Sequence, residues 1–355
     1  MKFLKILRGE APFPLWMLPA VPASWAYSLA VRIRAGLYRY GVIKAKRLSV
    51  PVISVGNLAP GGTGKTPFTM ELCGRLLARG IRPAILTRGY GGTKEGRVAE
   101  VSDGQRVLLD PSSAGDEAVM LADRLPGVPV VMGASRYESG LLAIKRFSPD
   151  VLVLDDGYQH ISLHRDLDIL LLDAGRPFGN GYTLPAGYLR EPASAADRAG
   201  LIVLTRADGV SGPPAGLPDR PVALAVHRPV ALSSLRDGHV YGLETLTGKT
   251  VLPVCAIAYP GSFTLILKGL GAKIKSHMFF RDHHAYTAAD MVSIADLAVK
   301  SCADLVVTTE KDAVKLSRLT AAGPDVMVLK VGMEFIGDGR DSTLERALDT
   351  IFGES

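Results

Sequence analysis

The sequence has few cysteines, few aromatic residues and no run of basic residues interleaved with aromatics. Its three cysteines, Cys73, Cys255 and Cys302, are far apart and odd in number. They fit neither a disulfide framework nor a zinc cluster, which favours a reducing cytosol. Aromatic residues make up only 6% of the chain, so nucleic acid is not an expected partner. The remaining composition, 47% hydrophobic over 355 residues with a net charge of +6, allows two globular domains and suits an acidic ligand.

The chain also lacks an apolar run that could cross a membrane undisturbed. No charged residue occurs between Glu10 and Arg32, which is long enough for a membrane span. Four prolines within residues 12–22 interrupt this run and would break a spanning helix. No small-residue cleavage site follows a compact apolar core, so a secretory signal is not expected either.

The segment after Pro22 has the pattern of an amphipathic helix. An apolar stripe repeats every four residues, with arginines and tyrosines beside it, and further basic residues lie on both sides of the segment. The stripe consists of Trp25, Leu29, Ile33 and Leu37. Such a helix either lies in a membrane surface or packs on its own domain, and the residues alone leave both interpretations open.

Strand-like and helix-like segments alternate from residue 48 onward. Apolar strands are predicted at 52–55, 84–87, 128–132, 151–154, 169–172 and 201–205, and helices at 68–79, 117–124 and 136–147. Alternation with near-continuous apolar strands indicates an α/β fold with a mostly parallel, doubly wound sheet.

A proline- and glycine-rich segment at 212–221 is interpreted as a boundary. A second, smaller α/β unit is predicted beyond it, with strands at 251–258 and 304–308 and helices at 263–270 and 288–301. The predicted organisation is an N-terminal segment 1–47, a P-loop domain 48–212 and a second domain 213–355.

A phosphate-binding loop follows the first strand. Ala59, Pro60, Gly61, Gly62, Thr63, Gly64, Lys65 and Thr66 fit the P-loop pattern, with alanine in place of the first glycine. A strand precedes the loop and a helix follows it, which is the context that the pattern requires. Lys65 is expected to reach the β and γ phosphates, and the Thr66 hydroxyl to bind Mg²⁺.

An acidic pair ends the apolar strand at 151–154. A buried strand followed by Asp155 and Asp156 is the Walker-B arrangement, which places a carboxylate beside the metal. Together with the P-loop it predicts a metal-assisted nucleotide site.

A GTPase is the competing enzyme class. Thr205-Arg206-Ala207-Asp208 weakly matches a guanine-reading motif, with arginine where lysine is usual, and no switch motif follows the Walker-B strand. A nucleotide-gated membrane adaptor without chemistry of its own is the non-enzymatic alternative.

Several polar residues are candidates for the chemistry of a kinase. Asp116 begins a predicted helix and could accept a proton or simply cap that helix. His283 could share a proton with a carboxylate or be an ordinary surface residue. Arg190 and Glu191 could serve phosphate and metal or form a surface ion pair. Arg88 and Tyr90 follow a predicted strand, at the edge where ligands bind in such sheets. They could contact a ligand there or belong to a plain glycine turn.

Taken in order, these motifs resemble the tetraacyldisaccharide 4'-kinase family, the lipid A 4'-kinases of Gram-negative bacteria. The matching segments are Val55-Gly56-Asn57 with the P-loop, Thr-Arg-Gly-Tyr-Gly-Gly at 87–92, Gly-Asp-Glu at 115–117, Asp-Asp-Gly-Tyr-Gln-His at 155–160, Pro-Ala-Gly-Tyr-Leu-Arg-Glu-Pro at 185–192, Phe-Arg-Asp-His-His at 280–284 and Thr-Glu-Lys-Asp at 309–312. Departures at Ala118 and at 256–260 affect loop shape rather than a proposed catalytic group.

The resemblance implies ATP- and Mg²⁺-dependent phosphorylation of the 4'-hydroxyl of a tetraacylated disaccharide 1-phosphate, giving lipid IVA. It also implies that Asp116 and His283 form an Asp–His dyad that acts as the general base, beside Lys65. Metal contacts would map to Thr66, Asp155, Asp156 and Glu191. Substrate or phosphate contacts would map to Asn57, Arg88, Tyr90, Arg136, Gln159 and Arg190. The family resemblance further implies two α/β domains around a cleft and an N-terminal helix that associates with the cytoplasmic face of the inner membrane.

Overall fold

The computed structural model describes residues 2–60, 63–210, 212–257, 260–282, 284–317, 319, 325–337 and 342–353, with side chains from residue 5 onward. The predicted P-loop glycines Gly61 and Gly62 and the predicted base His283 lie outside the described residues.

Within the described ranges, thirteen strands form a single sheet. They are β1 (Val52–Gly56), β2 (Pro83–Thr87), β3 (Ala99–Ser102), β4 (Val130–Met132), β5 (Val151–Asp155), β6 (Leu167–Asp173), β7 (Leu201–Thr205), β8 (Val222–Ser234), β9 (Val240–Tyr241), β10 (Val251–Cys255), β11 (Met278–Phe279), β12 (Leu305–Thr309) and β13 (Val326–Ile336). Their spatial order is β11-β10-β12-β13-β8-β7-β6-β1-β5-β2-β4-β3, with β9 paired to β8.

The α-helices cover both faces of this sheet. They are α1 (Lys2–Leu7), α2 (Ala20–Arg39), α3 (Lys65–Ala78), α4 (Pro111–Ala114), α5 (Asp116–Arg124), α6 (Arg136–Phe147), α7 (Pro260–Gly269), α8 (Ala288–Lys300), α9 (Glu310–Leu316) and α10 (Ser342–Phe352). Short 3-10 turns occur at Leu15–Met17, Ala193–Arg198 and Leu243–Leu246.

The central strands are buried along their whole length because helices pack on both of their faces. Alternate residues of β1 and β5 enter different cores, one shared with α3 and α5 and the other with α6. The strands β5, β1, β6 and β7 run parallel, so their carboxyl ends meet at one edge. The expected α/β fold with a mostly parallel, doubly wound sheet is therefore confirmed.

Two long strands, β8 and β13, were absent from the sequence prediction. They pair antiparallel over ten residues of each and join the two halves of the sheet. Pro229 interrupts the apolar pattern of β8 and lies opposite Val331, where the register shifts. A proline within an apolar run argues against an interior strand, which is why sequence reasoning missed it.

The sheet continues across the predicted boundary. Residues 212–221 contain no helix or strand. They lie between β7 and its parallel neighbour β8. Helix α10, from the far end of the chain, packs its Leu344 and Leu348 into the same core as Phe68 and Leu72 of α3. The division into segments 1–47, 48–212 and 213–355 stays a prediction.

Helix α2 docks through small polar side chains and presents its apolar stripe outward. Ser24 is buried, and its hydroxyl donates to the Thr183 carbonyl oxygen at 2.8 Å. Trp25, Leu29 and Ile33 of the stripe are 64%, 59% and 55% exposed. In the part of the chain that the structure describes, no helix has the length and apolar character needed to cross a membrane.

Candidate active site

The described residues on both sides of Gly61 and Gly62, between β1 and α3, are suited to holding a phosphate group. Gly64 precedes α3 with a φ of +82°, in the left-handed region that glycine adopts without strain. The His227 imidazole lies where a Cβ atom on Gly64 would be. The Asn57 side-chain amide donates to the Thr63 hydroxyl at 2.8 Å and closes the other side of the turn. The first N–H groups of α3 are therefore directed at this edge of the sheet, which favours an anion there.

Lys65, Asp156 and Arg190 form a chain of charges beside the turn. The Lys65 ammonium lies 3.6 Å from one Asp156 carboxylate oxygen, and Arg190 Nη1 lies 3.0 Å from the other. Burial opposes ionisation of Asp156, but Lys65 and Arg190 together lower the pKa of its carboxyl below the usual value. Asp156 therefore stays ionised and holds both cations at the carboxyl end of β5.

Asp155 has the opposite environment although it is the adjacent residue. Its side chain is buried at the end of β5, where one carboxylate oxygen accepts from the Thr69 hydroxyl at 2.9 Å. Burial, followed by the negative charges of Glu117 and Asp156, raises the pKa of Asp155 to about 7. A carboxyl group that ionises reluctantly beside a second carboxylate is one that a bound cation would stabilise.

The donor set fits Mg²⁺. Asp155, Asp156 and the nearly buried Thr66 hydroxyl offer oxygen ligands, which this hard cation prefers. No cluster of three or more His, Cys, Asp or Glu side chains with metal-binding geometry occurs among the described residues. A site of two carboxylates and a hydroxyl leaves the other positions to water and phosphate, as is usual for Mg²⁺ at nucleotides.

Glu191 is held by an arginine rather than by the other acids. Arg198 donates to both Glu191 carboxylate oxygens at 2.7 Å, and Gln159 Nε2 donates to one of them at 3.0 Å. The same Gln159 nitrogen donates to the Asn57 carbonyl oxygen at 2.8 Å. Glu191, Gln159 and Asn57 thus form a partly buried network beside the P-loop, and the predicted Glu191–metal contact stays a prediction.

Arg136 and Arg88 add positive charge next to the acidic pair. Arg136, the first residue of α6, is buried, and desolvation lowers its pKa to about 10 despite the nearby Asp155 and Asp156. Arg88 is largely exposed and lies 3.1 Å from Glu95. Tyr90 is 68% exposed, and its carbonyl oxygen lies against Gly115, where a Cβ would collide with it. The loop at 87–92 is thereby packed against the start of α5.

Asp116 is paired across the molecule. Gly115 is the N-cap of α5 and has no side chain to cap it, so the capping alternative for Asp116 is not what the structure shows. The Asp116 carboxylate lies 2.7 Å from the Lys315 ammonium on α9, and both side chains are nearly buried. Asp116 belongs to the same edge as the acidic pair, because Glu117 next to it acts on Asp155.

Three partners of the site were not predicted from the sequence: Thr69, Arg198 and Lys315. Thr69 follows Thr66 by three residues and so shares its face of α3, a helical spacing that could have identified it. Lys315 follows Lys311 by four residues in the same way. Arg198 gives no such signal, since a 3-10 turn brings it back to Glu191.

The charged residues of the guanine-reading alternative are engaged in ion pairs. The Arg206 guanidinium donates to Asp173 at 2.7 Å, and Asp208 lies 3.1 Å from Arg228. Asp208 is thus engaged with an arginine on β8.

Comparisons with known proteins identify the family to which the chain belongs. A family profile described as LpxK, tetraacyldisaccharide-1-P 4'-kinase, matches residues 16–352. The tetraacyldisaccharide 4'-kinase of Pelobacter propionicus is 47% identical over 296 residues, covering 83% of this chain and 82% of the relative. That of Geobacter sulfurreducens is 46% identical, covering 87% of this chain and 86% of the relative.

A solved structure gives the same result in three dimensions. The crystal structure of "apo" form LpxK from Aquifex aeolicus in complex with ATP superimposes with a TM-score of 0.78 at 34% identity. The match covers 93% of this chain and 98% of that chain. The family predicted from the sequence motifs is confirmed: the chain belongs to the tetraacyldisaccharide-1-P 4'-kinase family.

Proposed function

We propose that this kinase transfers the γ-phosphoryl group of ATP to the 4'-hydroxyl of a tetraacylated disaccharide 1-phosphate, giving lipid IVA. The observation that carries the proposal is the linked set Lys65, Asp156 and Arg190 at the P-loop, with Asp155 buried beside it. The ATP complex of the Aquifex aeolicus structure supports ATP as the donor.

The phosphate chain is held by the N–H groups at the start of α3 and by Lys65. Arg190 and the buried Arg136 neutralise charge that develops at the transferred group. Thr66, Asp155 and Asp156 would hold Mg²⁺, and the predicted Glu191 contact would require Arg198 to give up one carboxylate oxygen. Bound Mg²⁺ supplies charge neutralisation at the β and γ phosphates. Asn57, Gln159, Arg88 and Tyr90 are the proposed contacts to substrate or phosphate.

Asp116 is proposed to receive the proton of the 4'-hydroxyl, with His283 as its partner. The 4'-oxygen forms a bond to the γ-phosphorus while the bond from that phosphorus to the bridging oxygen breaks. The electron pair of the broken bond leaves with ADP, and the proton passes to the Asp116 carboxylate. In this scheme segment 213–355 closes the cleft over segment 48–212, since the Asp116 carboxylate meets α9 there.

The acceptor is proposed to be taken from a membrane surface, at the cytoplasmic face of the bacterial inner membrane. The outward stripe of α2 would enter the lipid, with Lys44, Lys46 and Arg47 attracted to anionic headgroups. These three basic residues are exposed beside the apolar Val42 and Ile43. Neither a protein partner nor nucleic acid is needed for this function.

Turnover by the purified protein tests the proposal. With Mg-ATP and a detergent-dispersed disaccharide 1-phosphate, we expect a bis-phosphorylated product. Lys65→Ala should lower kcat by about 100-fold or more and weaken ATP binding, since it removes a phosphate contact. Asp116→Ala should lower kcat by about 100-fold or more with little change in ATP affinity.

Arg82→Ala is the matched control, because Arg82 forms an exposed ion pair with Asp150 remote from the site. Its activity should equal that of the wild type. Absence of product at every detergent concentration would refute the proposed reaction. Preference for GTP would favour the GTPase alternative, and product formed by the protein alone would exclude the adaptor.

A further inference from the structure

Helix α9 joins two parts of the active-site edge that are distant in sequence. It follows β12, with the Thr309 hydroxyl accepting from the Asp312 backbone N–H as the helix cap. Glu310 forms an ion pair with Arg124 at the end of α5, and Lys311 lies 3.3 Å from Asp282. One face of this seven-residue helix therefore meets α5, and its lysines reach Asp282 and His284.

Lys315 makes the central connection of this contact. Its ammonium lies 2.7 Å from Oδ2 of Asp116 and also donates to the His284 carbonyl oxygen at 3.1 Å. The Lys315 and Asp116 side chains are only 12% and 11% exposed. An ion pair that is mostly shielded from water, with a second hydrogen bond on the ammonium, holds its geometry better than an exposed pair does.

We propose that Lys315 is a positioning residue for the phosphoryl transfer. It fixes the Asp116 carboxylate and, through the His284 carbonyl, holds the backbone of His284 near that carboxylate. This inference rests on the proposed role of Asp116 as proton acceptor. Its physical basis is that a carboxylate with two rotatable side-chain torsions must be held in one orientation to meet the hydroxyl proton.

The three donors of the ammonium suit this role. One donor serves Asp116 and one serves the His284 carbonyl, both from a side chain anchored on a helix. Arginine could keep the charge and the carboxylate contact, because its planar fork also binds carboxylates. A neutral side chain of similar length, methionine, could not donate to either oxygen.

The test compares Lys315→Met, Lys315→Arg, Asp116→Asn and the double variant Lys315→Met/Asp116→Asn, using Mg-ATP and the disaccharide 1-phosphate. We expect Lys315→Met to lower kcat by about 10- to 100-fold with KM for ATP within about twofold of the wild type. Lys315→Arg should recover most of the rate. In the Asp116→Asn background, Lys315→Met should cause no further loss, because both changes remove the same function.

Lys300→Met, on the exposed last turn of α8, is the control for losing one positive charge from the same half of the chain. It should keep wild-type kcat, and thermal melting should show that every variant is folded. If Lys315→Met lowers the rate of Asp116→Asn by the same factor as it lowers the wild-type rate, Lys315 is only structural and the proposal fails.

The outcomes also separate this proposal from the proposed reaction. If Asp116→Asn loses its rate while Lys315→Met does not, the assignment of Asp116 stands and the role of Lys315 is refuted. If Asp116→Asn keeps its rate, Asp116 is not the proton acceptor and both assignments are refuted.

Discussion

Asp155 and Asp156 show how much two adjacent carboxylates can differ. Asp156 adopts a left-handed φ of +53° and turns toward Lys65 and Arg190. Asp155 continues the strand and points into the interior, where Thr69 is its hydrogen-bond donor. The backbone reversal between the two residues is what separates a paired carboxylate from a buried one.

The raised pKa of Asp155 predicts a stability that depends on pH. Its folded-state pKa of about 7 exceeds the ordinary value of 3.8, so the folded state holds this proton more tightly than the unfolded chain does. The free energy of unfolding therefore decreases as pH rises from about 4 to about 7. Above that range the whole destabilisation by ionised Asp155 is present. Without Mg²⁺, Asp155→Asn should raise Tm by at least about 2 °C at pH 8, and by less at pH 5.

Asp150→Asn is the control for this measurement. Hydrogen bonds from Arg82 lower the pKa of Asp150 to about 2, so ionised Asp150 favours the folded state above pH 4. Its replacement should leave Tm unchanged or lower it slightly at pH 8. An equal gain for Asp155→Asn at both pH values would contradict the assigned burial cost.

At the scale of elements, α2 is attached to the loop that carries Arg190. The Ala186 N–H donates to the Ser24 hydroxyl at 2.8 Å, and the Tyr27 hydroxyl donates to the Arg190 carbonyl oxygen at 3.0 Å. Thr183 also hydrogen-bonds both Ser24 and Ser28. Because α2 contacts the rest of the protein through these hydroxyl groups, the apolar side chains of Trp25, Leu29 and Ile33 remain exposed.

Removing the Ser24 hydroxyl should loosen the loop at 183–190. Ser24→Ala leaves the buried Ala186 N–H and Thr183 carbonyl without this partner, at a cost of about 1–3 kcal/mol. We expect faster amide hydrogen exchange at 183–190 and a lower Tm. Ser293→Ala deletes a helical serine hydroxyl that is exposed and bonds only one turn back, so it should change neither quantity. Unchanged exchange in Ser24→Ala would show that α2 does not hold the loop.

For the whole molecule, local patterns in the sequence predicted the parallel strands and the P-loop because these depend on nearby residues. The run at 151–154 is apolar because both faces of β5 are covered, and Gly64 is required by its own φ. The Asp116–Lys315 and Glu191–Arg198 pairs depend on how the chain returns to the site, which no local period encodes. The β8–β13 pair was missed because Pro229 interrupts the apolar pattern of β8 and lies where the register shifts.

Both tryptophans of the chain, Trp16 and Trp25, lie in the proposed membrane-binding segment, 66% and 64% exposed. Intrinsic fluorescence should therefore report membrane binding without a label. Phosphatidylglycerol vesicles should shift the emission to shorter wavelength, and the shift should be smaller with phosphatidylcholine or at high salt.

Charged substitutions in two apolar positions separate this surface from others. Leu29→Glu should abolish the shift, because it places a charge in the outward stripe of α2. Val299→Glu should not, although Val299 on α8 is 78% exposed. No shift with either vesicle would refute membrane binding by this segment.

The return of α10 to α3 has a consequence for synthesis of the chain. Leu344 and Leu348 belong to the same core as Phe68 and Leu72, and Glu345 pairs with Arg75 and Arg79 on the P-loop helix. On the ribosome the nucleotide-binding half is made first, yet one side of its helix α3 stays uncovered until α10 has been synthesised. Chains that stop before α10 would therefore leave apolar surface of α3 exposed, so the core around the P-loop helix is completed only when α10 docks.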